Sequence, residues 1–95
     1  MKPQEIIKEV VKTVKSFLPK AKVFLYGSWA KGNALPTSDL DIAIDNKKKV
    51  AWDTFLDIKG KVEDIPTLRH IDITDLNMAD RAFKKEVIET AQLLT

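Results

Sequence analysis

Apolar residues in the N-terminal stretch fall at three- and four-residue intervals: Ile6, Ile7, Val10, Val11, Val14, Phe17 and Leu18, with Lys and Glu between them. Such spacing gathers the apolar side chains on one side of a 3.6-residue turn and predicts an amphipathic helix from Pro3 to Leu18. Pro19 cannot continue it. The run Val23-Phe24-Leu25-Tyr26 that follows is short, apolar and β-prone, the pattern of a central strand covered on both faces. Gly27-Ser28 breaks that strand. Trp29 to Leu35, with Gly32 and Asn33 inside it and Pro36 after it, reads as a loop holding at most one helical turn.

Asp39 to Ile44 alternates, with Leu40, Ile42 and Ile44 on one face and Asp39, Asp41 and Ala43 on the other, and this period of two predicts a second strand. Lys47-Lys48-Lys49 reads as a solvated turn. Trp52, Phe55, Leu56 and Lys59 then form a helical stripe, with Trp52 and Phe55 expected in the core and Gly60 marking either the helix end or a weak point. After Pro66, Arg69 to Thr74 alternates again: Ile71 and Ile73 face one way, His70, Asp72 and Thr74 the other. Asp80 is placed to cap a last helix whose stripe is Phe83, Val87, Ile88, Ala91 and Leu94. Helix, strand, loop, strand, helix, strand, helix describes an α/β (α+β) fold, a small mixed sheet flanked by helices, expected as a single domain over residues 1–95.

Composition narrows the function. With 95 residues, 44% of them hydrophobic, the chain can bury one core and little more. A net charge of +2 on a charged fraction of 32% is an ordinary mixed surface, so sequence-specific nucleic-acid binding is not expected. The absence of cysteine excludes disulfides and thiolate metal sites and suits a reducing cytoplasm. No stretch approaches the roughly 18 to 20 apolar residues a membrane span needs, and no leader pattern precedes the first helix. A cytoplasmic protein without a membrane partner is the expectation.

Two features carry chemistry. Asp39 and Asp41, two residues apart on a strand, project from one face about 6 to 7 Å apart at the root. Carboxylates so placed repel each other, and hard oxygen donors of this kind suit Mg²⁺ or Mn²⁺. The bland alternative is a pair of exposed edge-strand carboxylates. Gly27-Ser28 ends an apolar strand, where a glycine permits close backbone approach and a serine offers a hydroxyl and an N–H to an anion. Taken alone it is a plain strand-ending turn.

Taken together the two are more specific. Gly27-Ser28, ten intervening residues and Asp39-Leu40-Asp41, in the context LYGSWAKGNALPTSDLDIAI, resemble the signature of the DNA polymerase β-like nucleotidyltransferase superfamily, and of its minimal nucleotidyltransferase (MNT) branch above all. The resemblance covers essentially the whole chain and implies a polymerase β-like palm core. It implies that Gly27 and Ser28 grip the β- and γ-phosphates of a nucleoside triphosphate, that Asp39 and Asp41 are paired metal ligands, and that Asp72 on the later strand is the third carboxylate. Asp75 is the weaker candidate, one residue beyond the strand as read. Lys31 and Ser38 join the nucleotide-binding set, although Ser38 equally suits a turn cap. Trp29 and Lys31 stand where many members carry Arg, so a bidentate guanidinium is lacking at 29 and a point charge replaces it at 31.

The implied chemistry is transfer of AMP from ATP to an acceptor hydroxyl by two Mg²⁺ ions, with Mn²⁺ a possible substitute. Minimal members of the superfamily are commonly encoded with small helical HEPN proteins as toxin–antitoxin pairs. The resemblance therefore implies an antitoxin that adenylylates a tyrosine of a HEPN partner. Two other readings remain: an antitoxin that only binds and occludes its partner, and a transferase acting on a small molecule such as an aminoglycoside. His70 shares a face with Asp72, although a peripheral strand histidine is the commoner outcome. Trp29 suits base stacking and packing equally. Lys47, Lys48 and Lys49 can steer a triphosphate, and the stripe from Phe83 to Leu94 is read first as a core helix and second as partner contact.

Overall fold

The computed structural model describes residues 2–32, 34–35 and 38–95. Asn33 and Pro36, which mark the expected loop after the first strand, lie outside them. Helix α1 (Pro3–Phe17) starts with Pro3 in its first turn, where the missing N–H costs no hydrogen bond, and buries Ile6, Val10 and Val14 at four-residue spacing. Pro19 lies just beyond its end. Strand β1 (Lys22–Tyr26) follows, then a single turn, α2 (Ser28–Lys31), strand β2 (Leu40–Asp45), helix α3 (Trp52–Glu63), strand β3 (Ile71–Asp75), helix α4 (Arg81–Thr90) and a two-residue strand β4 (Gln92–Leu93).

The strands form one mixed sheet in the order β3-β2-β1-β4. β1 lies antiparallel to β2 and to β4, whereas β2 and β3 run parallel, joined by the crossover through α3. The alternation expected for β2 is present. Leu40, Ile42 and Ile44 join Val23, Leu25 and Ile73 in the larger core, under α1 and α3, from which Ile6, Val10, Val14, Ile58 and Val62 project. The opposite face holds a smaller cluster, Phe24, Ala43 and Leu76 with Val87 of α4, which Tyr26, Phe83 and Ala91 flank. One helix covers that face where two cover the other.

Three local expectations need correction. The last helix ends at Thr90, because Gln92 and Leu93 pair with β1 and the Leu94 N–H donates to Val23 O (2.8 Å), so Leu94 follows an edge strand, packs against the larger core and is not part of the helical stripe. Gly60 neither ends nor breaks α3, which continues to Glu63; its helical neighbours outweigh the roughly 1 kcal/mol of lost propensity. Trp52 is 70% exposed and stacks on the half-buried Phe55, with ring centroids 6.4 Å apart, so only Phe55 meets the core. Asp80 caps α4 as expected, accepting from the Phe83 N–H at 2.8 Å. Among the described residues no helix is long and apolar enough to cross a membrane.

Candidate active site

Pairing register brings the carboxylates together. Tyr26 is opposite Asp41 across β1 and β2, and Asp41 is opposite Asp72 across β2 and β3, so the three residues stand abreast on the face that carries α4. Asp39, exposed, immediately precedes β2, one alternation from Asp41. Asp75 belongs to β3 after all, but alternation turns it to the opposite face. There it is 6% exposed and accepts from the Val50 N–H (2.8 Å) and the Asn77 N–H (3.0 Å), anchoring the connection before α3 and the turn after β3.

Gly27 has φ +76°, and a Cβ built on it would collide with Oδ2 of Asp41. The glycine therefore has two physical causes: a left-handed backbone that a side chain disfavours, and a carboxylate packed where that side chain would go. Ser28, half-buried, opens α2, and the Lys31 N–H donates back to Gly27 O at 3.1 Å. Lys31 is exposed at the end of this turn. The Ser38 hydroxyl accepts from the Leu35 N–H at 2.8 Å, the turn-capping role.

Electrostatics single out Asp41. Partial burial raises its pKa above the ordinary carboxylate value, the negative charges of Asp72 and Asp39 push it further, and His70 partly offsets them. Like charges on one face, each disfavouring ionisation of the next, are the condition a cation relieves. Three carboxylates are also the hard donor set that Mg²⁺ or Mn²⁺ prefers, so the residues fit a divalent ion by chemistry. Among the described residues no three His, Cys, Asp or Glu side chains form a ready-made cage, so the fit rests on donor type, shared face and register. A cavity of about 310 Å³ opens beside Asp72, lined among others by His70, Arg69, Ile71, Lys59 and Glu63.

Four residues of this region lie outside the site set expected from the sequence: Tyr26, Thr74, Phe83 and Arg69. Tyr26 donates to or accepts from the Thr74 hydroxyl at 3.1 Å, reaching over β2, where Ala43 offers only a methyl. Its ring also meets Phe83 edge-on at 5.6 Å, which walls the carboxylates from the small core under α4. Burial raises its pKa above the ordinary phenol value, and Asp72 and Asp41 add to that against the opposing Thr74 bond, so the hydroxyl keeps its proton. Alternation within β1 puts Phe24 and Tyr26 on one face, and that was the available clue. Arg69 lies over the Trp29 ring at 4.9 Å and donates to Ser38 O at 2.7 Å. Trp29 thus packs: its indole N–H donates to the same carbonyl (3.2 Å) and its ring lies against the larger core.

Comparison with known proteins gives the family and the fold. The family model for "Polymerase beta, Nucleotidyltransferase" matches residues 5–95, and the chain belongs to that nucleotidyltransferase family. Its fold is similar to a toxin–antitoxin crystallised with AMP-PNP, at a TM-score of 0.76 and 21% identity over 93% of this chain and 71% of that one. It is similar to a mutant of the toxin–antitoxin MntA-HpeT, at 0.73 and 18% over 93% and 70%. A third structure, from Sulfolobus solfataricus and described as a nucleotidyltransferase, aligns at 0.58 and 24% over 94% and 76%. At these identities the likeness is one of fold. No curated protein matches the sequence.

Proposed function

We propose that this protein is an Mg²⁺-dependent nucleotidyltransferase that moves AMP from ATP to a tyrosine hydroxyl of a small helical HEPN partner, and so acts as an antitoxin. The observation that carries the reaction type is the row Asp41–Asp72 with Asp39 beside it, on the sheet face against which α4 packs. The partner reading is supported by the two similar folds that are toxin–antitoxin structures, one crystallised with AMP-PNP. Asp39, Asp41 and Asp72 hold the divalent ions, which when bound stabilise the attacking and leaving oxygens of an in-line displacement.

The chain's own groups supply the rest. Gly27 and Ser28 present backbone N–H groups and a hydroxyl to the outer phosphates, and Lys31 adds a point charge. The acceptor oxygen attacks the α-phosphorus, the bond from that phosphorus to the bridging oxygen of the β-phosphate breaks, and pyrophosphate leaves. The acceptor's proton passes to an Asp72 carboxylate oxygen. Purified protein with Mg²⁺, ATP and the co-encoded partner is expected to raise the partner's intact mass by one AMP. Asp39→Asn and Asp41→Asn should each abolish the gain. An antitoxin that works by occlusion alone would still neutralise the partner with both substitutions, and that result would sink the transferase reading.

A further inference from the structure

We infer that Arg69 is a positioning residue: a clamp that sets the nucleotide turn at Gly27-Ser28 relative to the carboxylate strands. Its guanidinium ties two chain segments to its own. Its Cζ lies over the ring of Trp29, the residue after Ser28. Nη1 donates to the carbonyl of Ser38, the residue before Asp39. Arg69 itself precedes Asp72 by three positions, and its own N–H is held by Thr67 Oγ1 at 3.1 Å. Trp29 closes the triangle, because its indole N–H donates to the same Ser38 carbonyl. A carbonyl oxygen has two lone pairs, and both are engaged here.

The peptide leading into Asp39 is thereby fixed from two sides, by groups 9 and 31 residues away in sequence. The segments it joins are those that bear the three parts of the candidate site. A planar, delocalised guanidinium can stack on an indole and donate in its plane simultaneously, which an ammonium cannot do. Loosening this clamp would leave the turn and the carboxylates free to move relative to each other, and ordering them again would fall on nucleotide binding.

The clamp rests on the reading of Gly27-Ser28 as the nucleotide turn, so its test has one readout independent of nucleotide. In a Trp52→Phe background Trp29 is the only tryptophan, and its emission reports the stacked, half-buried indole. Arg69→Ala should shift that emission to the red, increase quenching by acrylamide, and raise the half-saturating ATP concentration about tenfold with Mg²⁺ present. Arg69→Lys, which keeps the charge and is the milder change to the fold, should lie nearer to the alanine variant than to the parent on both readouts. A purely structural role would lower the folded fraction and leave the half-saturation point unmoved. Unchanged emission in both variants overturns the clamp, as does a lysine variant that restores ATP affinity in full. If the parent binds no ATP while emission shifts as described, the clamp stands and the transferase reading falls.

Discussion

Asp41 and Asp45 lie four residues apart on one strand and one face, yet their surroundings are opposite. Asp45 is partly buried, which works against its charge, but it accepts from Asn77 Nδ2 (3.0 Å) and the Lys47 N–H (2.9 Å), and Lys84 and Lys22 are near; its pKa falls below the ordinary value. Asn77 in turn accepts from Lys84 Nζ at 2.9 Å, so the far end of β2 is closed by a satisfied polar network. Asp41 has no such company. Burial, Asp72 across the sheet and Asp39 along the strand all disfavour its charge, Tyr26 on the other side brings no cation, and with only His70 in partial opposition its pKa rises. One end of the strand uses a carboxylate to fasten the fold; the other holds carboxylates in a state that a bound cation would improve.

The largest test of this contrast is chemical. Asp41→Asn should lower AMP transfer about a thousandfold, roughly 4 kcal/mol of barrier, while Asp45→Asn leaves turnover per folded molecule close to the parent. Equal losses in the two variants would erase the distinction. Next is Gly27→Ala, which forces a side chain into both a positive φ and the Asp41 carboxylate; a cost of about 2 kcal/mol in denaturant unfolding is expected. Repeating it in an Asp41→Ala background should recover part of that loss, since only the collision is relieved.

Asp75→Ala removes the acceptor for the Val50 N–H in a buried setting and should cost about 1 to 3 kcal/mol with little change in metal-dependent behaviour. The smallest effects are mirror images in pH. A carboxyl with a lowered folded pKa contributes stability at neutral pH that is lost as pH falls through that value; one with a raised pKa opposes folding when ionised, and the opposition fades as pH falls. Asp45→Asn should therefore lower Tm at neutral pH, and Asp41→Asn should raise it, both differences shrinking toward acid. Thermal scans without added metal across pH 3 to about 7 check the pair.

Most of this was readable from alternation. The period of two in Asp39–Ile44 and Arg69–Thr74 put Asp41 and Asp72 on faces that could be shared, and extending it by one residue would have sent Asp75 to the other side. Strand β4 escaped because two residues carry no periodicity of their own and continue the spacing of α4. Trp52 escaped because a helical stripe says which residues share a side, not how far the core extends beneath them. Arg69 had no local signature at all: the groups it holds are Trp29 and Ser38, and only the folded sheet brings them near.

The parallel pairing of β2 with β3 has a consequence for how the molecule comes to exist. Parallel neighbours cannot be joined by a tight turn, so Asp41 and Asp72 meet only after α3 has been laid across the sheet. That closure is non-local, and its entropy must be spent before the pairing returns anything. No contiguous fragment of the chain that stops short of β3 holds the full set of carboxylates. During synthesis the acidic face therefore cannot assemble until β3 has emerged, after α1 and α3 but ahead of α4, the helix on its own side.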